Sequence, residues 1–257
     1  MKSLFGEKNK YVASLSYDLF SIENGSVSSY GGSQNMYESL KERKCGCGIA
    51  GAADIILYIE ALAEAVKSGN RTYTADSKMA QSLEKLTVSK ERFLAASSEL
   101  RKKYMPIIPG RGVNSFILAW GLNRYFKKHK MPYRSRWKWT ALKKWKTVER
   151  MLNDDIPVIL AIGNNFPFVW GKKELNLYVL DGKASASEEA VYRKEQSVCG
   201  HFVVVTAIEE NCLTVSSWGR KYYINIDEYN AYVARHSIHL YSNILEIKKT
   251  RDDIDPD

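Results

Sequence analysis

Long apolar runs are missing from this 257-residue chain. No stretch reaches the roughly 18 apolar residues of a membrane helix, and charge interrupts the opening segment, MKSLFGEKNKYVASLSYDLF, before an export-signal core forms. The expectation is an unexported, cytoplasmic protein. Cysteine is scarce as well: Cys45, Cys47, Cys199 and Cys212 do not make a disulfide-stapled secreted fold, and they suit a reducing compartment. Only 6 prolines and 16 glycines exclude collagen-like and low-complexity chains. Acid is absent from one long region, because between Arg101 and Lys146 stand 14 Lys or Arg and no Asp or Glu. The remainder holds 24 basic and 29 acidic residues, so the formal net charge of +9 belongs to that region. Its field would attract an anionic partner such as nucleic acid, a membrane surface or an acidic polypeptide.

What is present is the composition of a folded globule, 45% hydrophobic and 26% charged. A chain of this length buries around three-quarters of its unfolded surface and needs neither disulfide nor structural metal to hold together. A single domain over residues 1–257 is therefore expected, with an irregular N-terminal segment at 1–44, a mainly helical half at 45–153, a mainly β half at 156–249 and a tail at 250–257. The Ser/Gly/Asn-rich stretch SIENGSVSSYGGSQN reads as loop. From Ile49 to Val66 apolar residues recur at three and four, the mark of a core-facing helix. Further helical periodicity covers Met79–Leu86, Arg92–Tyr104, Val113–His129 and Thr140–Leu152, broken at MPIIPGRG and MPYRSRW. Strand-like runs follow at 157–163, 175–180, 201–208, 212–218 and 221–226, with a last one at 238–247. Residues 181–198 read as a long loop. Helices first and strands afterwards predict an α+β fold, a helical half packed on an antiparallel sheet.

The chemistry concentrates on two residues. Cys47 precedes Gly48 and the helical run IAGAADIILYI, which places its thiol at a helix N-terminus. Free N–H groups and the helix dipole stabilise a thiolate there, and such settings lower a cysteine pKa from ~8.5 to roughly 3.5–7.5. His201 opens the strand HFVVVTAI after Gly200, where a side chain can enter a cleft. A Cys and a His in distant halves of the chain are what a cysteine hydrolase needs, the imidazole taking the thiol proton and later returning it to the leaving amine. His129 in KKHK, His236 and His239 read as surface or core residues. Cys45, Cys47, Cys199 and His201 also offer three sulfurs and an imidazole to zinc, although one residue between two sulfurs is too few for a relaxed site. Cys45 and Cys199 read as ordinary thiols, with a reversible disulfide to Cys47 as the rival reading.

CGIAGAADIILYI, IPVILAI, GHFVVVTAI and SSWGRKYYI, in that order and spacing, resemble the papain-like cysteine peptidases, most closely the bacterial bacteriocin-processing branch that acts on double-glycine leaders. The resemblance covers Cys45–Ile226. It implies a papain-like fold, a peptide or protein substrate, Cys47 as nucleophile, His201 as base and no cofactor or metal. The family's third residue, an Asp or Asn that orients the imidazole, falls at Ser216. Its oxyanion glutamine falls at Lys41, with Gln34 of GGSQN the substitute if the backbone folds back, and the Cys47 N–H supplies another donor. Trp218 and Gly200 would line the cleft. A rival reading makes the chain a weak or inactive scaffold of this kind that binds an anionic partner through 101–146. In that region Arg124–Lys146 interleaves ten cations with Tyr125, Phe126, Tyr133, Trp137, Trp139 and Trp145.

Overall fold

The computed structural model describes residues 11–24, 27–67, 86–108, 110, 112–163, 173–181 and 191–250. Among them seven strands build one antiparallel sheet: β1 (Val12–Ser14), β6 (Val158–Ile162), β7 (Leu175–Leu180), β8 (Tyr192–Val198), β9 (His201–Glu209), β10 (Cys212–Ser217) and β11 (Arg220–Asn225). Their order is β1-β9-β10-β11-β7-β8, and β6 shares with β1 the outer edge of β9. Along that edge β6 pairs with His201–Val205 and β1 with Ala207–Glu209. The β-branched run of β9 and the wholly buried VILAI of β6 suit strands covered on both faces.

The fold is α+β, as the order of periodic segments predicts. Helix α2 (Cys47–Lys67) runs past the sheet with every residue from Gly48 to Ile59 buried. Its small residues permit close approach: a Cβ at Gly51 would stand 3.4 Å from both Ile159 and Val204, and one at Gly48 3.3 Å from Phe202. Helices α3 (Lys90–Glu99), α4 (Ser115–Lys128) and α5 (Lys144–Asn153) match three predicted periodicities, α3 continuing through a π-helical turn at Leu100–Tyr104. The helix expected at Met79–Leu86 falls on 68–85, outside the described residues, except for Leu86.

Four expectations need correction. The N-terminal segment is not all irregular: β2 (Ser21–Asn24) and β3 (Val27–Tyr30) form a hairpin, β2 pairs in parallel with β4 (Thr87–Ser89), and α1 (Leu40–Cys45) follows. These short polar strands carry little hydrophobic pattern, and pairing partners far away in sequence decide them. Residues 192–198 are strand rather than loop, an edge strand on β7. The stretch 238–247 is strand only from β12 (Leu245–Lys249), which forms a separate ribbon with β5 (Tyr133–Trp137). Helix α6 (Ile226–His236) was hidden behind the strand-like KYYINI, although Asn225 and Glu228 spell an N-cap signature and the Asn225 side chain accepts the Glu228 N–H at 3.0 Å.

Candidate functional site

Chain geometry brings the two halves of the predicted pair to one strand. Ala50 N–H makes the first α2 bond, to Gly46 O at 2.9 Å, so the N–H groups of Cys47 and Gly48 have no helical acceptor. Both turn toward the Cys47 thiol, and the N–H of Phe202, the residue after His201, reaches the same sulfur. Cys47 thus meets β9 at the Phe202 peptide; among the described residues no hydrogen bond joins its sulfur to the His201 ring, whose side chain belongs to the strand face opposite Phe202. Cys47 retains partial exposure.

The thiol is not lowered as expected. Burial is the largest influence and pushes it up; the three N–H groups oppose that shift, and the neighbouring Cys45 adds to it. Burial likewise pushes the His201 imidazole down to about 4. A resting thiolate–imidazolium pair is therefore disfavoured on both sides, because each charged form loses more hydration than the site returns. At neutral pH the geometry holds a neutral thiol and a neutral imidazole able to accept a proton.

The residue that orients the imidazole is Ser217, a correction to the sequence assignment of Ser216. His201 Nε2 lies 2.7 Å from Ser217 Oγ. Strand parity explains the difference. Ser216 is opposite Val204, whose side chain faces Gly51 of α2, so Ser216 stands on the helix-covered face. There its hydroxyl donates to Tyr30 O at 2.6 Å. Ser217, one position on, falls on the other face, the one that His201 shares with Val203 and Val205.

Trp218 lies on His201, ring centroids 4.3 Å apart and planes 13° from parallel. It occupies a backbone conformation that tryptophan rarely adopts. Trp218 (φ 50) and Gly219 (φ 73) form the two-residue β10–β11 turn, where both positions are left-handed and Asn-Gly is the favoured pair. A bulky residue there costs about 1–2 kcal/mol, which the stacking on His201 offsets only in part. Gly200 (φ 62) makes the sharp entry to β9, its N–H bonding Gly163 O at 3.3 Å.

Gln34 is buried in a short 3-10 turn, Gln34–Met36, and its Nε2 donates to Arg43 O in α1 at 2.6 Å. The Gln34 turn thus packs on α1, with one amide proton engaged by that carbonyl. Lys41 is exposed on α1. The path of the segment before Gln34 depends on a residue that the sequence reading passed over. Asp54, buried seven residues after Cys47, accepts the Gly32 N–H at 2.8 Å. Burial pushes its carboxyl up to about 8, against the pull of that N–H. A Cβ at Gly32 would stand 2.0 Å from Phe93 and 2.7 Å from Asp54, so only glycine lets this segment approach. A lone acid inside the apolar run GAADIILY was the available signal.

A cleft of about 280 Å³ opens between α1, α2 and α3, with Tyr37, Ile49 and Leu94 in its wall and Glu42 paired with Arg101; Cys47 and His201 are not among its lining residues. Tyr37 is close enough to feel charge on both Cys47 and Asp54. Among the described residues, no three His, Cys, Asp or Glu side chains converge as metal ligands, and none of the helices is long and apolar enough to cross a membrane. Cys199 is exposed at the entry to β9, and His129 stacks on Tyr125 at 4.0 Å. Set against protein-family models, curated proteins and solved structures, the chain matches none of them.

Proposed function

We propose that the chain is a thiol-dependent amide hydrolase of papain-like arrangement, with Cys47 as nucleophile, His201 as general base and then acid, and Ser217 as the residue that positions the imidazole. The observation that carries this reading is the seating of the helix-start thiol on the Phe202 N–H, one residue from an imidazole held by Ser217 and Trp218. As Cys47 sulfur bonds to the carbonyl carbon of a peptide or protein substrate, its proton passes to His201. The Cys47 N–H, turned away from its own sulfur, and the Gln34 amide proton left free by Arg43 O are assigned as the oxyanion donors. His201 gives the proton to the amine as the C–N bond breaks, and water, deprotonated by His201, hydrolyses the thioester. A substrate side chain would occupy the cleft by Tyr37 and Ile49. The neutral resting pair calls for general-base activation at the moment of attack rather than a standing ion pair.

The test is alkylation by iodoacetamide, read by intact mass and peptide mapping, in the full chain and in Cys47→Ser and His201→Ala forms. Preferential labelling of Cys47, slowed tenfold or more by His201→Ala between pH 6 and 8, supports the pair. Labelling of Cys47 no faster than exposed Cys199, with no response to His201→Ala, overturns it.

A further inference from the structure

The basic region plays no part in this chemistry, and the β5–β12 ribbon gives it a shape. In register, Arg134 stands opposite Lys248 and Arg136 opposite Glu246. Directly opposed residues of a ribbon project from the same face, so these four share one face, while Ser135 and Trp137 turn inward and are buried. Like charges directly opposed, as at Arg134 and Lys248, destabilise a ribbon on their own.

Glu246 is the counter-charge at the centre, and it is oversubscribed. It is only 4% exposed, lying beneath Arg136 Nε at 2.5 Å, Arg150 at 3.1 Å and Lys248 at 3.4 Å. Arg150 also reaches Asp154 at 3.3 Å. Lys138 extends the line of cations, and its ammonium is disfavoured by burial and by Arg136, Lys248 and Arg150, with Glu246 alone acting in its favour. Four cations, Arg136, Lys138, Arg150 and Lys248, thus share two carboxylates, Lys138 also donating to Thr147 Oγ1 at 3.3 Å, and Arg134 adds a fifth charge opposite Lys248. Arg136 and Lys248 keep 68% and 55% of their side-chain surface in solvent. The surplus is positive, ordered and accessible.

The ribbon runs straight into an exposed aromatic. Lys138 N–H bonds Ile244 O at 3.1 Å, and Asn243 Nδ2 bonds Thr140 O at 3.0 Å, so the 138–140 segment continues alongside the ribbon's end. Trp139 on that segment is 71% exposed. Alternate strand residues recur every ~6.8 Å, a spacing that an extended sugar–phosphate chain can follow from cation to cation before a base reaches Trp139.

We infer that this face of the β5–β12 ribbon, with Trp139 at its end, binds single-stranded nucleic acid, phosphates lying along Arg134, Arg136, Lys138 and Lys248 and a base stacking on Trp139. The flat, exposed indole is what favours bases over the carboxylates of an acidic polypeptide, which would use the cations alone. The site is separate from Cys47 and stands whether or not the chain hydrolyses amides.

The test is fluorescence anisotropy of a fluorescein-labelled 15-nucleotide oligothymidylate with the full chain over a salt series. Four phosphate contacts predict a log–log salt slope near −3, hence about a fifty-fold loss of affinity between 50 and 200 mM salt. Trp139→Ala should weaken binding at least fivefold with that slope unchanged. Arg134→Ala with Lys248→Ala should flatten the slope by about 1.4. These three exposed positions can be replaced without opening the core, and circular dichroism checks that the fold is kept. Equal binding of a poly-glutamate peptide, or of phosphatidylserine vesicles, combined with no response to Trp139→Ala, overturns the proposal in favour of a general polyanion or membrane surface. Oligonucleotide binding that appears only when Asp252, Asp253, Asp255 and Asp257 are all changed to Asn also overturns it, naming the chain's own acidic end as the occupant.

Discussion

Two adjacent serines separate structure from chemistry. In Ser217→Ala the imidazole loses its 2.7 Å partner and is held by Trp218 alone. A side-chain hydrogen bond is worth about 1 kcal/mol net, so the rate of Cys47 alkylation at pH 7 should fall about fivefold, since 1.36 kcal/mol is a factor of ten. Global stability should fall as well, by about 1–3 kcal/mol, because Ser217 and His201 are both buried and the imidazole nitrogen is left without its partner. Ser216→Ala destabilises too but spares the thiol. It leaves the Tyr30 carbonyl without the donor it has at 2.6 Å, in a buried place, at a cost of about 1–3 kcal/mol. For a chain of this size that is roughly 2–10 °C in Tm, with the alkylation rate unchanged. Intact-mass alkylation kinetics and differential scanning calorimetry on both variants settle the matter. If Ser216→Ala slows alkylation while Ser217→Ala leaves it alone, the parity argument and the Ser217 assignment are both wrong.

Three further outcomes concern buried charge. Asp54 is held near a pKa of about 8 in the folded chain and 3.8 in the unfolded one; the unfolded state loses this proton first, so stability falls as pH rises from about 4 to 8. Asp54→Asn removes that loss, and its advantage in urea midpoint over the native chain should be near zero at pH 4 and grow to a few kcal/mol, at most on the order of 5, at pH 8. His201 acts in the opposite sense: with about 4 folded against 6.5 unfolded, the stability held by its neutral form is complete above pH 6.5 and is lost as pH falls toward 4, roughly 3 kcal/mol in all. His201→Gln should flatten that acid limb of the stability curve measured by urea unfolding. Lys144 is buried without a hydrogen-bond partner, its Nζ 4.6 Å and 4.4 Å from the ring centres of Trp145 and Tyr229, and burial pushes it down to about 7. The unfolded chain binds this proton up to pH 10.5, so the penalty is full below pH 7; Lys144→Met should raise Tm at pH 6 and gain progressively less toward pH 10.

The sequence carried the fold wherever burial imposed a period. VILAI and HFVVVTAIE read as strands because both faces are covered, and α2 read as a helix because small and large apolar residues alternate at its own repeat. Hairpin β2–β3 and edge strand β8 did not, since polar strands with few buried faces leave no pattern and depend on partners such as Thr87–Ser89 and Leu175–Leu180. At the site, Cys47, His201 and Trp218 were legible from their positions at element starts and turns. Ser217 was not, because choosing between neighbouring serines needs the pairing register, and matching SSW by family spacing put the role one residue early. The expected drop in the thiol pKa failed for a related reason: a helix start can be read from a sequence, but the dryness around it cannot. Asp54 was visible as an anomaly, and only the Gly31–Gly32 approach explains it.

Strand β9 has a consequence for timing. It is where β1, β6, β10 and the start of α2 converge, and Cys47 and His201 are encoded 154 residues apart. At a synthesis rate of roughly 5–20 residues per second, the ribosome needs on the order of ten seconds or more to travel from one to the other. Throughout that interval Cys47 waits for the strand on which the start of α2 rests, and Ser217 and Trp218 are added later still. The first turn of α2 therefore completes its packing only after synthesis has passed β9.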